Sequence, residues 1–195
     1  MHRNTVPTIV LAAALSACSL QSEVLNSERI KNQFGNYGVE IIEQDDQTRR
    51  SSLYSTNNGK RTCRTYAVVN FAGGDAFDIS DVHQKVIDGA SIGSTFKSDG
   101  WEIRKETIYV GEVALPGVRH PIGELMHLQS TTDLAVHAYQ LHIEKGSTSL
   151  HYATIVETHH PEYLGKGELF ELYPPSIQAD AATILDIRQL VLDQH

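Results

Sequence analysis

The sequence predicts an α+β fold, a mostly antiparallel sheet of about six or seven strands with helices packed on one face. Three observations point to it. Strand-like runs follow one another as hairpins instead of alternating one for one with helices. The turn signal Asn57-Asn58-Gly59 joins two such runs directly. Helical patterns gather at the start, in the middle and at the end of the chain, and no internal repeat divides it.

Each element has a local reason. Ser27 followed by Glu28 starts a helix, Ile30 and Phe34 lie one turn apart, and Gly35 stops it. Gly38 to Glu43 reads as a strand, and Asp45-Asp46 as a turn rather than a calcium loop, since no acidic residues follow at the needed spacing. Runs 48–56 and 61–71 form the hairpin. Gly73-Gly74 breaks the pattern, and Ser80 opens a helix through Val82, Val86 and Ile87 to Gly89, with further turns over Ala90 to Phe96. Asp99-Gly100 turns the chain into a strand at Trp101 and Ile103 that continues over 106–115. His120-Pro121 fits a strand edge or loop. Runs 133–143 and 149–159 are strands around Glu144 to Ser147. Pro161 suits the first turn of a helix through Leu164, Leu169, Phe170 and Leu172. After Pro174-Pro175, a last helix from about Ile177 carries Ile184, Ile187, Leu190 and Val191 on one stripe.

The first eighteen residues differ from the rest. Arg3 precedes a mostly apolar run, Val6 to Leu15, and small residues lead to Cys18, the layout of a secretory signal too short for a stable membrane span. Leu15-Ser16-Ala17-Cys18 resembles the lipobox of bacterial lipoproteins. The resemblance implies cleavage after residue 17, a diacylglyceryl thioether and an N-acyl chain on Cys18, and anchorage to a lipid bilayer. In that family the residue after the Cys influences sorting, and Ser19, not Asp, implies the outer membrane, facing the periplasm, in a Gram-negative host. Residues 18–26 would be a tether and 27–195 a single domain. That domain resembles the many lipoprotein domains to which no activity is attached.

Losing residues 1–17 leaves 178 residues, with 15 basic against 24 acidic side chains. An acidic chain in an envelope compartment disfavours nucleic acid as partner. The expected function is therefore an envelope lipoprotein with a soluble binding domain, its partners the bilayer and another envelope protein, with no cofactor.

The chemistry is thin. Gly89-Ala90-Ser91-Ile92-Gly93 does not follow a parallel-strand pattern, the setting a nucleophile elbow needs, and reads as close helix–sheet packing. Cys63 alternates with Thr65, Ala67, Val69 and Phe71, as a small core residue would. Lys60, Arg61 and Arg64 nearby would instead favour a reactive thiolate and a redox sensor. With Arg49 and Arg50 these cations make the densest basic cluster, expected as a solvated sheet edge or, alternatively, a contact for lipid phosphate or an acidic partner. The remaining candidates are His142, His151, His159, His160 and Glu162, the set a metal-dependent hydrolase would need in the alternative reading. A four-residue loop from Lys145 to Thr148 puts His142 directly across from His151, and a two-residue loop is expected to make the pair diagonal. Alternation groups Tyr139, Leu141 and Ile143 with Leu150, Tyr152 and Val156 in the core. It groups Gln140 and His142 with His151, Glu157 and His159 on the opposite face. His160 and Glu162 would cap the helix after Pro161.

Overall fold

The structure is a computed structural model that describes residues 24–72, 79–175 and 179–193. The signal segment 1–17, Cys18 and most of the tether lie outside the described residues, as do Gly73-Gly74 and Ile177.

The elements run α1 (Asn26–Phe34), β1 (Gly38–Gln44), β2 (Thr48–Asn57), β3 (Lys60–Phe71), α2 (Ser80–Ile87), α3 (Ile92–Ser98), β4 (Glu102–Ala114), α4 (Pro121–Leu125), β5 (Asp133–Lys145), β6 (Thr148–His159), α5 (Lys166–Leu172) and α6 (Ala181–Leu192). The six strands form one antiparallel sheet in the order β1-β2-β3-β6-β5-β4. The α+β class and the antiparallel sheet are those expected. Two three-stranded meanders lie side by side, and the β3–β6 ladder, Thr65 opposite His159 to Phe71 opposite Ala153, joins them.

The helices, expected on one face, divide between two. Val68, Val136, Ala138 and Val156 pack with Ile122 and Met126 around α4 and with Ile187 and Val191 of α6. Their strand neighbours Val69, Tyr139 and Ile155 point the other way, to Val82 and Val86 of α2 and Phe96 of α3. On that same side Ile30 of α1 and Leu169 of α5 cover Val110 and Ala135. The cause lies in β3, β5 and β6, which are apolar at consecutive positions as well as alternate ones. Such strands need a layer on each side.

Turn chemistry explains most boundaries. Asn58 and Gly59 both take positive φ, 50° and 78°, the conformation a two-residue hairpin loop demands. Asp45 Oδ1 accepts from the Gln47 and Thr48 amides at 2.8 and 2.7 Å, and these bonds hold its carboxyl below the usual range. Gly35 closes α1 at φ 81°. Three boundaries depart from expectation. The segment after Pro116 holds a short helix, α4, because His120 caps it and Pro121 suits its first turn. The helix expected at Pro161 is a single turn, with the Tyr163 and Leu164 amides bonded to the His160 carbonyl. The chain then restarts at Lys166, where Glu168 reaches back to the Gly165 amide at 2.9 Å. The last helix begins at Ala181, because Asp180 accepts the Thr183 amide at 2.8 Å.

Candidate functional site

Two irregularities in the sheet decide where the chemistry lies. Leu141 pairs with Ala153 but His142 with His151, so Tyr152 is an extra residue in β6. From that bulge onward Ala153, Ile155, Glu157 and His159 share the face of Tyr139, and Val156 takes the opposite one. The face grouping expected from strict alternation is therefore wrong beyond Tyr152. Likewise Leu53 pairs with Thr65 and Tyr54 with Cys63, leaving Arg64 as the extra residue. Cys63 thus joins Tyr66 and Val68, away from Thr65 and Ala67.

The five candidate residues are thereby separated. His142 does lie across from His151, with ring centroids 5.3 Å apart, even though the loop between β5 and β6 is only Gly146-Ser147. The expected shift to a diagonal pair does not occur, because Lys145 opposite Thr148 continues the same register. Glu106 stands 3.4 Å from His142 Nε2, and burial holds this imidazole below its ordinary pKa. His159 lies eight residues further along β6, about 27 Å away, on the other face. His160 is consumed by the backbone. Its Nε2 donates to the Met126 carbonyl at 3.1 Å and its Nδ1 accepts the Glu162 amide at 3.0 Å, which assigns the neutral tautomer. Glu162 is ion-paired to Arg64 at 3.1 Å. Among the described residues no three His, Cys, Asp or Glu side chains converge on a metal position.

The basic cluster disperses too, since β1 covers β2 and neither strand of the hairpin is an edge. Arg49 is buried and donates to the Val86 and Ala90 carbonyls at 3.2 and 2.9 Å, closing the end of α2. Arg64 is buried over the Phe34 ring and donates to Ser55 Oγ at 2.9 Å. Arg50 reaches the Tyr66 hydroxyl and Glu43, and Arg61 pairs with Glu40. Cys63 is buried, and burial pushes its thiol up to about 12. The cations around it in sequence do not create a reactive thiolate. Its alkylation by iodoacetamide at pH 8 is expected to be at least a hundredfold slower than that of a free thiol (about 8.5 in pKa) until denaturant is added. Rapid labelling of the native chain would contradict this.

What the sheet does build is a hollow on the α1 side, between the strands and the starts of α1 and α3. It is a cavity of about 80 Å³ within a depression that opens to solvent on one side. Its origin is a row of cross-strand neighbours, Ser51, Ala67 and Glu157. Two small side chains there leave unfilled volume beside the bulky row Arg49, Val69, Ile155 and Tyr139. Leu53, Val69 and Ile155 make the apolar wall, and Tyr37, held by Ser91 at 3.3 Å, makes part of the rim. Arg49, Lys105 and Glu157 supply the charge.

Glu157 belongs to a buried polar network. Asn26, the first residue of α1, donates to Glu157 Oε1 at 3.0 Å and to Thr65 Oγ1 at 3.2 Å, and accepts from the Tyr163 hydroxyl. The helix start favours a carboxylate there. His159 bonds Thr65 through Nδ1 at 3.0 Å, and its Nε2 stands 4.0 Å from Glu157 with no hydrogen-bond partner among the described residues. His137, registered beside Glu157, bonds Thr107 through Nε2 at 3.0 Å, and its buried Nδ1 has no partner among the described residues. Its ring stacks on Tyr173 at 4.4 Å. Desolvation, helped by the nearby Lys105 cation, lowers His137 to about 2 and His159 to about 3, so both imidazoles are neutral.

Of these residues only His159 is among the candidates drawn from the sequence. The signal for Glu157 was a carboxylate inside Tyr152 to Thr158, a run otherwise without charge in a strand that proves central. His137, within Leu134 to Tyr139, is the same kind of signal. Arg49 stood out only as one cation of the basic cluster, and for Asn26 the sequence holds no signal, because their roles depend on α1 and α2 docking over the sheet. The chain matches no protein-family model and no curated protein sequence.

Proposed function

We propose that this chain is an envelope lipoprotein, anchored through acylated Cys18, whose folded domain binds a small amphipathic molecule without catalysis. The hollow over Ser51, Ala67 and Glu157 carries the reading: apolar walls, a few buried polar groups and one open side make a ligand cleft. Three observations oppose chemistry. The histidines next to the hollow are neutral and bonded to Thr65 and Thr107, His160 is bound at both ring nitrogens, and His142 with His151 lies on the other face.

Anchor and cleft are tested separately. Cys18→Ala is expected to abolish incorporation of labelled palmitate and to leave the leader uncleaved; unchanged labelling sinks the anchor. For the cleft, the lipidated protein in nanodiscs is expected to enhance the fluorescence of N-phenyl-1-naphthylamine beyond empty nanodiscs. Ala67→Leu, whose added carbons enter the hollow, is expected to remove that excess while the circular dichroism spectrum is kept. An excess equal in both proteins would mean the probe binds elsewhere.

A further inference from the structure

We propose that the hollow receives a short apolar peptide with free termini, its ammonium against Glu157 and its carboxylate against Arg49. This rests on the cleft reading above and adds the class of ligand. Two groups of opposite charge line the same hollow, each more than nine-tenths buried and each incompletely paired. Glu157 is 5% exposed and has one hydrogen-bond donor among the described residues, Asn26, although a carboxylate accepts about four. Among the described residues no Lys or Arg comes within ion-pair distance of it, and its neighbour His159 is neutral. Arg49 is 2% exposed and gives Nη1 to two carbonyls, while its Nε has no partner among the described residues. No carboxylate among the described residues pairs with it. The third charged group, Lys105, lies over the rings of Tyr139 and Tyr173.

Buried charges without partners are unfavourable, and each is relieved by a ligand group of the opposite sign. A fatty acid relieves only Arg49, an alkyl amine only Glu157, and a neutral apolar molecule neither. A zwitterion relieves both. Its length follows from the register. Arg49 lies opposite Val69 and Val69 opposite Ile155, two residues before Glu157. Two strand spacings and two residues separate the two Cα atoms by about 12 Å. Both side chains line the hollow. Two or three extended residues span about 7–10 Å, whereas a single amino acid is too short. Between the charges the wall of Leu53, Val69 and Ile155 suits apolar side chains.

The experiment is calorimetric titration of the lipidated full chain in nanodiscs, with empty nanodiscs as blank. The probes are leucyl-leucine, its N-acetyl form and its C-terminal amide. The free dipeptide is expected to bind, and each blocked form at least tenfold more weakly. Glu157→Gln is expected to bring the free dipeptide down to the affinity of the acetylated one and to leave the latter unchanged. Arg49→Gln should do the same for the amide, but Arg49 also holds α2. Glu157→Gln therefore decides the matter if that variant misfolds. Equal binding of all three forms overturns the peptide assignment and leaves the cleft standing, as does binding of N-phenyl-1-naphthylamine without any peptide binding. Failure of every probe overturns both.

Discussion

Lowering the pH from 7 to 5 is expected to remove about 4 kcal/mol of stability through two imidazoles alone. In the folded chain His137 and His159 stay neutral down to about 2 and about 3, because burial excludes their charged forms. In the unfolded chain each takes a proton near the ordinary value of about 6.5. The unfolded state therefore binds more protons throughout the interval between. The contribution is complete above pH 6.5, is lost as the pH falls through it, and goes on falling to about pH 3, where His159 begins to protonate in place. His142 and His160 are shifted in the same direction, chiefly by burial, and add to the loss. A domain of ordinary stability, about 5–15 kcal/mol, has little left at pH 5. Urea midpoints at pH 7, 6 and 5 measure the effect. His137→Phe keeps a ring against Tyr173 and Tyr139 but removes one proton site, so it should flatten the profile by about half. A profile the same in variant and parent would show that His137 titrates normally.

Replacing Phe96 with Ala is expected to destabilise the chain by about 3–5 kcal/mol. Phe96 is fully buried, and its ring stands edge-on to Tyr152 at 4.6 Å and to Trp101 at 6.2 Å. Phe71 and His83 extend this aromatic group from the other side of Tyr152, whose hydroxyl burial pushes above its usual range. The surroundings cannot collapse into the space, because Tyr152 is held to His83 at 2.8 Å and Trp101 to Asp99 at 3.2 Å. The effect should also reach the cleft. Phe96 is the buried residue of α3, the helix whose start, Ile92 and Gly93, forms one wall of the hollow. Denaturant unfolding gives the first number, and the naphthylamine signal of the still-folded fraction gives the second. A loss below about 1 kcal/mol would mean that the aromatic group tolerates a cavity.

Features set by neighbouring residues are legible in this sequence, and those set by pairing across the sheet are not. The hairpin at Asn58-Gly59, the stop at Gly35 and the turn at Asp45 follow from residues that satisfy their own backbone, and they were legible. So was the burial of Cys63. The direction in which Cys63 points was not, because an extra residue at Arg64 reverses the alternation, and no side chain announces a bulge. The same holds at Tyr152, which divides one supposed histidine face into two. Pro161 fits a helix start by itself. The His160 ring, bonded to Met126 34 residues earlier, holds the segment as one turn instead. The cleft was the least legible feature, since it arises from two small side chains, Ser51 and Ala67, brought together by pairing between strands. Smallness in a strand carries no mark of what will lie opposite.

The junction between the two meanders has a kinetic consequence. Each meander contains hairpins whose contacts are close in sequence, so both can form early, whereas β3 meets β6 only after some ninety residues of intervening chain have been gathered in. Ordering that long span before any reward is collected makes closure of the seam the expected slow step of assembly. The cleft sits astride this seam, with Ala67 on one bank and Glu157 on the other, and a bound guest would act as a clasp between two halves that were made separately.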